Sequence, residues 1–132
     1  YIVDTQNQRV EHFSAVGTFL GVWGSSGTGE GQFDRPTGVA VAPDGTVYVA
    51  DSYNHRVQHF SATGAFLEKW GTFGSDNGAF DRPYGVTVAT NGMVVVTDFF
   101  NNRVQAFGRA YPDSWRGVYF ANQWLTGAPA LI

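Results

Sequence analysis

Apolar and polar positions alternate along most of the chain in short runs that end at glycine, proline, asparagine or aspartate. In GVAVAPDGTVYVADS, residues 38–52, valines at every second position flank an Asp-Gly turn. This pattern predicts two short strands joined by a hairpin. The next segment, RVQHFSATGAFLEKWG, residues 56–71, predicts two more strands around a turn at Ala62-Thr63-Gly64. Helical spacing is not seen, so we expect an all-β fold.

The pattern recurs with a fixed period. DTQNQRVEHF begins at Asp4, DSYNHRVQHF at Asp51 and DFFNNRVQAF at Asp98, which gives the same 47-residue spacing twice. GQFDRPTGVAV from Gly31 likewise matches GAFDRPYGVTV from Gly78 without insertion or deletion. Four antiparallel strands in a period of this length are typical of a β-propeller blade.

The strand count predicts a partial β-propeller of four-stranded antiparallel blades, about two and a half blades from a larger ring. We expect a partial blade at 1–24, a complete blade at 31–71 and a partial blade at 78–107 that stops after its third strand. The remaining blades would come from the same parent chain. A fragment of this kind exposes strand edges, so we expect marginal stability on its own.

The residues of one period resemble the NHL repeat. The matching features are the Gly-x-Phe lead-in, Pro-x-Gly-Val-Ala-Val, Asp-Gly, Tyr-Val-Ala-Asp, Asn-x-Arg-Val and a following Phe and Gly. The resemblance covers residues 1–108 and implies an NHL-type β-propeller. One departure is Asn91, which stands where the turn usually has Asp and offers the same turn chemistry.

Residues 109–132 do not continue the repeat. The segment WRGVYFANQWLTGAPALI resembles the opening of the sugar-binding β module named after the anthrax protective antigen. We therefore expect residues 109–132 to be a linker and the start of a protective-antigen-like module. That resemblance implies a large secreted or cell-surface protein of bacteria.

Recurrence separates structural residues from candidate ligand contacts. An acid, an amide and an arginine recur in every copy, which indicates a structural frame in which the acid and the amide cap the turn and arginine binds the acid or nearby carbonyls. The frame residues are Asp4, Asn7, Arg9, Asp51, Asn54, Arg56, Asp98, Asn101 and Arg103. Arg35 and Arg82, in the recurrent Asp-Arg-Pro, are also interpreted as structural, paired with acids of the next blade.

The positions that vary inside this frame are the candidate ligand contacts. His55 lies in a turn where the other copies have Gln8 and Asn102, and we expect it to be exposed. Tyr53, Phe99 and Phe100 are aromatic residues in the same turns, which packing explains poorly. We expect these four side chains to share one end of the propeller with the long inter-blade connections.

Composition excludes several classes of function. The chain has no cysteine, and its net charge of −3 disfavours nucleic acid and anionic membranes as partners. Residues 1–108 carry six Lys or Arg against ten Asp or Glu, so RNA binding, known for some NHL propellers, is disfavoured. No apolar run is long enough to insert into a bilayer. His12 and His59 recur, but we expect no metal site, no cofactor and no catalytic constellation.

Together these features predict a non-catalytic binding scaffold of a secreted or cell-surface multidomain protein, with a protein or glycan partner. The alternative is a propeller-type metal-dependent lyase or hydrolase whose active-site blades lie outside these residues.

Overall fold

The computed structural model describes residues 1–111, 114–116, 118–119 and 130–131, with side chains described for residues 1–108. The predicted opening of a protective-antigen-like module therefore falls largely outside the described residues. Within them the fold is all-β, with three 3₁₀ turns at 5–7, 52–54 and 99–101. None of the helical segments described is long and apolar enough to cross a membrane.

The main strands form three successive antiparallel sheets, which are the blades of a partial β-propeller. Blade 1 is three-stranded, and blade 2 has four strands in the order of the chain. Their strands are β1 (Ile2–Asp4), β2 (Arg9–Phe13) and β3 (Phe19–Trp23) in blade 1, and β6 (Pro36–Val41), β7 (Val47–Asp51), β8 (Arg56–Phe60) and β9 (Phe66–Trp70) in blade 2. The short β4 (Ser25–Ser26) and β5 (Gln32–Phe33) pair in parallel within the connection between them.

Blade 3 contains β10 (Pro83–Val88), β11 (Val94–Asp98) and β12 (Arg103–Tyr111). A fourth strand, β13 (Ser114–Arg116), was not predicted. It pairs with Gly108, Arg109 and Tyr111, beyond the stretch of β12 that corresponds to the pairing of β8 with β9. Among the described residues, Val104–Phe107 therefore pairs with no fourth strand. The remaining pair, β14 (Val118–Tyr119) and β15 (Ala130–Leu131), is antiparallel.

The core lies between neighbouring blades and repeats with the sequence. One cluster joins blades 1 and 2, and its members Val10, Phe33, Val47, Val49 and Phe60 are completely buried. A second cluster joins blades 2 and 3 through the residues 47 positions later, Val57, Phe80, Val94, Val96 and Phe107. Each blade thus buries an apolar face against the next, which is how a propeller removes its sheets from water.

The two ends of the sheets carry different loops. Strands β6 and β7 meet at Pro36 and Asp51, so the inter-blade connection and the 52–54 turn lie at the same end. We call this end the turn face. The hairpin turns around Asp44 and Asn91 lie at the opposite end, where each side chain accepts the backbone N–H two residues later. Asn91 thus does take the role of the aspartate it replaces.

Candidate functional site

A buried carboxylate organises the turn face of blade 2. Asp51 is fully buried, and its Oδ2 accepts hydrogen bonds from Arg56 Nε at 2.7 Å and from Asn54 Nδ2 and Gln58 Nε2, each at 3.0 Å. Its Oδ1 accepts the backbone N–H of Asp34 at 2.9 Å. Asp51 therefore holds the preceding connection instead of capping the amides of its own turn, which differs from the cap expected from the sequence.

The arginine and amide side chains extend this grip. Arg56 donates to the carbonyls of Thr28, Gly29 and Gln32 at 2.7–2.9 Å, and Asn54 donates to Gly27. Charge-assisted donors of this kind form the stronger class of hydrogen bonds in proteins. The connection from residue 27 to residue 34 is consequently fixed along its length.

Blade 3 repeats the same clamp with Asp98, Asn101, Arg103 and Gln105, which bind the connection from Gly74 to Asp81. In blade 1, Asp4 binds Asn7 and Arg9. There Glu11 stands at the glutamine position and forms an ion pair with Arg9 at 2.7 Å. In blades 2 and 3 the residues of the frame predicted by recurrence therefore bind the preceding connection.

The local environments shift the pKa values of Asp51 and Asp4 in opposite directions. Burial raises the pKa of Asp51, while the hydrogen bonds from Asn54, Asp34 and Arg56 oppose that shift. Hydrogen bonds from Asn7 and Arg9 lower the pKa of the half-buried Asp4. Because all four contacts of the Asp51 carboxylate are donors, we assign it the ionised form at neutral pH.

The clamped connections present two arginines in left-handed backbone conformations. Arg35 has φ of 48° and Arg82 has φ of 53°, which side chains other than glycine seldom adopt. A side chain from the preceding blade accepts each backbone N–H: Gln8 Oε1 binds Arg35 at 2.6 Å, and His55 Nδ1 binds Arg82 at 3.2 Å. These contacts fix the backbone positions from which both arginine side chains extend.

The two guanidinium groups stack on aromatic rings of the 3₁₀ turns. Arg35 and Arg82 each lie 4.8 Å from the ring centroid of Tyr53, and Arg82 also lies 4.6 Å from that of Phe100. Arg35 Nη1 additionally donates to the Tyr53 hydroxyl at 3.3 Å. Arg35, Tyr53, Arg82 and Phe100 thus form a row of alternating cations and rings across two blades, which we call the arginine–aromatic row.

Further exposed rings adjoin the row. Phe99 packs edge-on against Phe100 with centroids 5.3 Å apart and lies 5.9 Å from Tyr84. The exposed fractions are 39% for Tyr53, 51% for Phe100, 57% for Tyr84 and 60% for Phe99. Large apolar side chains exposed side by side on a face with polar neighbours are typical of interaction sites.

The structure brings Tyr53, Phe99 and Phe100 together, but it gives His55 a different place from the one expected. The His55 side chain is only 23% exposed and lies in the joint between blades 2 and 3. Its Nδ1 holds the N–H of Arg82, and its ring packs edge-on against Phe73 at 4.8 Å. His55 is therefore a counterpart of Gln8 and positions Arg82, whereas an exposed and free side chain was predicted.

The sequence interpretation of Arg35 and Arg82 as partners of acids in the next blade was wrong. Within residues 1–108, both stack on rings and neither forms an ion pair with a carboxylate. Tyr84 was also missed as a member of this surface. The available signal was the 47-residue recurrence of arginine beside a turn that is aromatic in two of its copies.

The recurrent histidines lie away from this surface. His59 is buried against Tyr48 with centroids 4.0 Å apart, and its ring nitrogens contact Glu68 and Thr46. His12 stacks on Tyr1 at 4.1 Å in the equivalent arrangement. In the part of the chain that the structure describes, no group of three or more histidine and acidic side chains is placed to hold a metal ion.

Parts of blades 2 and 3 are similar to a known repeat family. Residues 33–60 and 80–107 match the family model of the NHL repeat. No curated protein matches the chain by sequence. The two matched segments run from the end of β5 to β8 and through the corresponding strands of blade 3.

Solved structures share the fold. A streptogramin B lyase matches with a TM-score of 0.61 and 15% identity over 80% of this chain and 32% of its own. Hydrazine synthase from Kuenenia stuttgartiensis matches with a TM-score of 0.61 and 15% identity, over 80% of this chain and 28% of its own. Virginiamycin B lyase from Staphylococcus aureus matches with a TM-score of 0.58 and 12% identity, over 90% of this chain and 37% of its own. The chain spans about a third of the length of these structures, and identities this low establish the fold alone.

Proposed function

We propose that this chain is a non-catalytic, protein-binding part of an NHL-repeat propeller and that its turn face is the contact surface. The observation that carries the proposal is the cluster of exposed aromatic residues formed by Tyr53, Tyr84, Phe99 and Phe100 beside Arg35 and Arg82. NHL propellers generally mediate protein interaction, and the similarity of this chain to the NHL repeat supports a protein-binding role.

The composition of the surface favours a protein partner. Tyrosine, phenylalanine and arginine are enriched where proteins bind each other, and tyrosine and arginine are frequent among the residues that dominate binding energy. No lysine or glutamate belongs to the cluster. Both 3₁₀ turns are anchored to the preceding connection, because the backbone N–H groups of Tyr53 and Phe100 donate to the carbonyls of Asp34 and Asp81.

The cellular context remains part of the proposal. The resemblance of residues 109–132 to a protective-antigen-like module supports a secreted or cell-surface protein of bacteria. A module of that type would add carbohydrate binding beside the propeller, so a glycan partner is assigned to residues beyond the propeller and a protein partner to the turn face.

Site-specific photo-crosslinking tests the proposal. In one variant of the chain, a photoreactive phenylalanine analogue replaces Phe99. In a control variant it replaces Val16, which is 89% exposed at the opposite end of the sheets. We expect a host protein that crosslinks at residue 99, and its purified form should bind the unmodified chain. Equal crosslinking at both positions, or a captured protein that does not bind when purified, would contradict the proposal.

A metal-dependent lyase is the second candidate function. It is favoured by the fold similarity to two lyases. Under this alternative, histidines and acids from further blades would line the propeller channel. Metal analysis of the purified parent protein, together with turnover of a candidate lyase substrate that chelation abolishes, would support the alternative over a binding scaffold.

A further inference from the structure

Arg35 and Arg82 differ from every other cationic side chain in residues 1–108. Arg9, Arg56 and Arg103 form ion pairs at 2.6–2.9 Å, and Lys69 lies 3.8 Å from Glu30. In the same residues the guanidinium groups of Arg35 and Arg82 have no carboxylate partner. Two unpaired cations side by side are notable in a chain whose net charge is −3.

Both guanidinium groups are preorganised. Each is stacked on a ring, and stacking restricts the flexible side chain while leaving the N–H groups at the edge of the guanidinium plane available as donors. Within residues 1–108, the only hydrogen bond of the Arg35 guanidinium is the 3.3 Å contact with Tyr53. An anion that binds here pays less conformational entropy than one that binds a free surface arginine.

The spacing suits an extended peptide. Both guanidinium groups lie 4.8 Å from the same ring centroid, so they are no farther apart than twice that distance. Side chains on one face of an extended segment recur every second residue, or about 7 Å. Two acidic residues at positions i and i+2 can therefore reach both arginines, and an apolar residue beyond them can reach Phe99 and Phe100.

We propose that Arg35 and Arg82 bind two carboxylates of an extended acidic segment in the protein partner, whose flanking apolar side chains contact the exposed rings. This proposal rests on the proposed function and assigns the chemistry of the partner. A peptide is favoured over a polyphosphate or nucleic acid because Asp34 and Asp81 adjoin the two arginines and the chain is acidic, which repels a dense polyanion.

The test uses the full chain and a pair of synthetic peptides. The probe is Leu-Ser-Glu-Ser-Glu-Ser-Leu with blocked termini, and its control carries glutamine at both glutamate positions. Binding is followed through the side-chain Nε–Hε resonances of the arginines in ¹H–¹⁵N spectra, which report on each guanidinium without a mutation. We expect the signals of Arg35 and Arg82 to shift together and the control to bind about tenfold more weakly.

Variants separate the row from general charge. Arg82→Gln should lower the affinity for the glutamate peptide by about tenfold. Lys69→Gln removes an exposed cation outside the arginine–aromatic row and should change that affinity little. Thermal melting of each variant confirms that it is folded.

Three results would overturn this inference. They are equal binding of both peptides, unchanged Arg35 and Arg82 signals at millimolar glutamate peptide, and binding of inorganic polyphosphate without binding of the glutamate peptide. Equal binding would leave the turn face as an apolar contact surface, so it would not remove the proposed function, which the crosslinking experiment decides independently.

Discussion

Arg56 Nε lies 2.7 Å from Asp51 Oδ2 in a pair buried from solvent, whereas the equivalent Arg9 and Asp4 form the same contact at 2.9 Å with side chains that are 39% and 24% exposed. The difference follows from the inter-blade connection that covers Asp51. A buried pair whose remaining donors reach backbone carbonyls is costly to break, while an exposed pair contributes little.

The first prediction compares these two arginines. Arg56→Met leaves Asp51 buried and releases three carbonyls of the connection, so we expect the free energy of unfolding to fall by about 3 kcal/mol or more. Arg9→Met should cost less than about 1 kcal/mol. Urea denaturation of both variants measures the difference, and equal losses would refute the clamp.

The second prediction concerns the acid titrations. Carbon-13 spectra of the aspartate carboxyls should give Asp4 a pKa below its ordinary value and Asp51 a pKa above it. The lowered pKa of Asp4 adds stability above its unfolded-state pKa, and this is lost as pH falls through the folded value. The raised pKa of Asp51 adds stability below the unfolded-state pKa, and this is lost as pH rises through the folded value. The opposite order of the two pKa values would contradict the assigned environments.

The third prediction uses the repeat as its own design. Tyr48 and His59 are directly paired across strands β7 and β8, and Val95 and Ala106 take their places in blade 3. His59→Ala should destabilise the fold by removing the stacked partner of Tyr48. Adding Tyr48→Val should restore part of the loss, with a coupling of about 1 kcal/mol in a double-mutant cycle. Strictly additive effects would show that the pair is not a unit.

The fourth prediction tests the close approach of blades 2 and 3. A Cβ on Gly38 would lie 2.7 Å from the carbonyl oxygen of Tyr84, whereas one on Gly85 would meet Thr97 Oγ1 at 3.2 Å. We expect Gly38→Ala to cost about 1–3 kcal/mol, because backbone must move, and Gly85→Ala to cost less. Thermal unfolding of the two variants checks this order.

Sequence reasoning predicted the fold because the repeat compares three copies of each position. Invariant Asp51, Asn54 and Arg56 could be recognised as structural on that basis. The turn face was harder to predict from the sequence, because the arginine–aromatic contacts join residues of different connections and blades, such as Arg82 and Tyr53. The role of His55 also depends on a backbone N–H of the next connection, which residue identities in the turn do not reveal.

The most direct test of the central claim is the affinity of the crosslinked partner, measured by calorimetry with the purified proteins. Phe99→Ser and Phe100→Ser remove two rings of the turn face, and Val16→Ser removes an exposed apolar side chain at the opposite end. A binding surface at the turn face predicts about tenfold or greater loss of affinity for the two phenylalanine variants and none for the control. Unchanged affinity in both phenylalanine variants would contradict it.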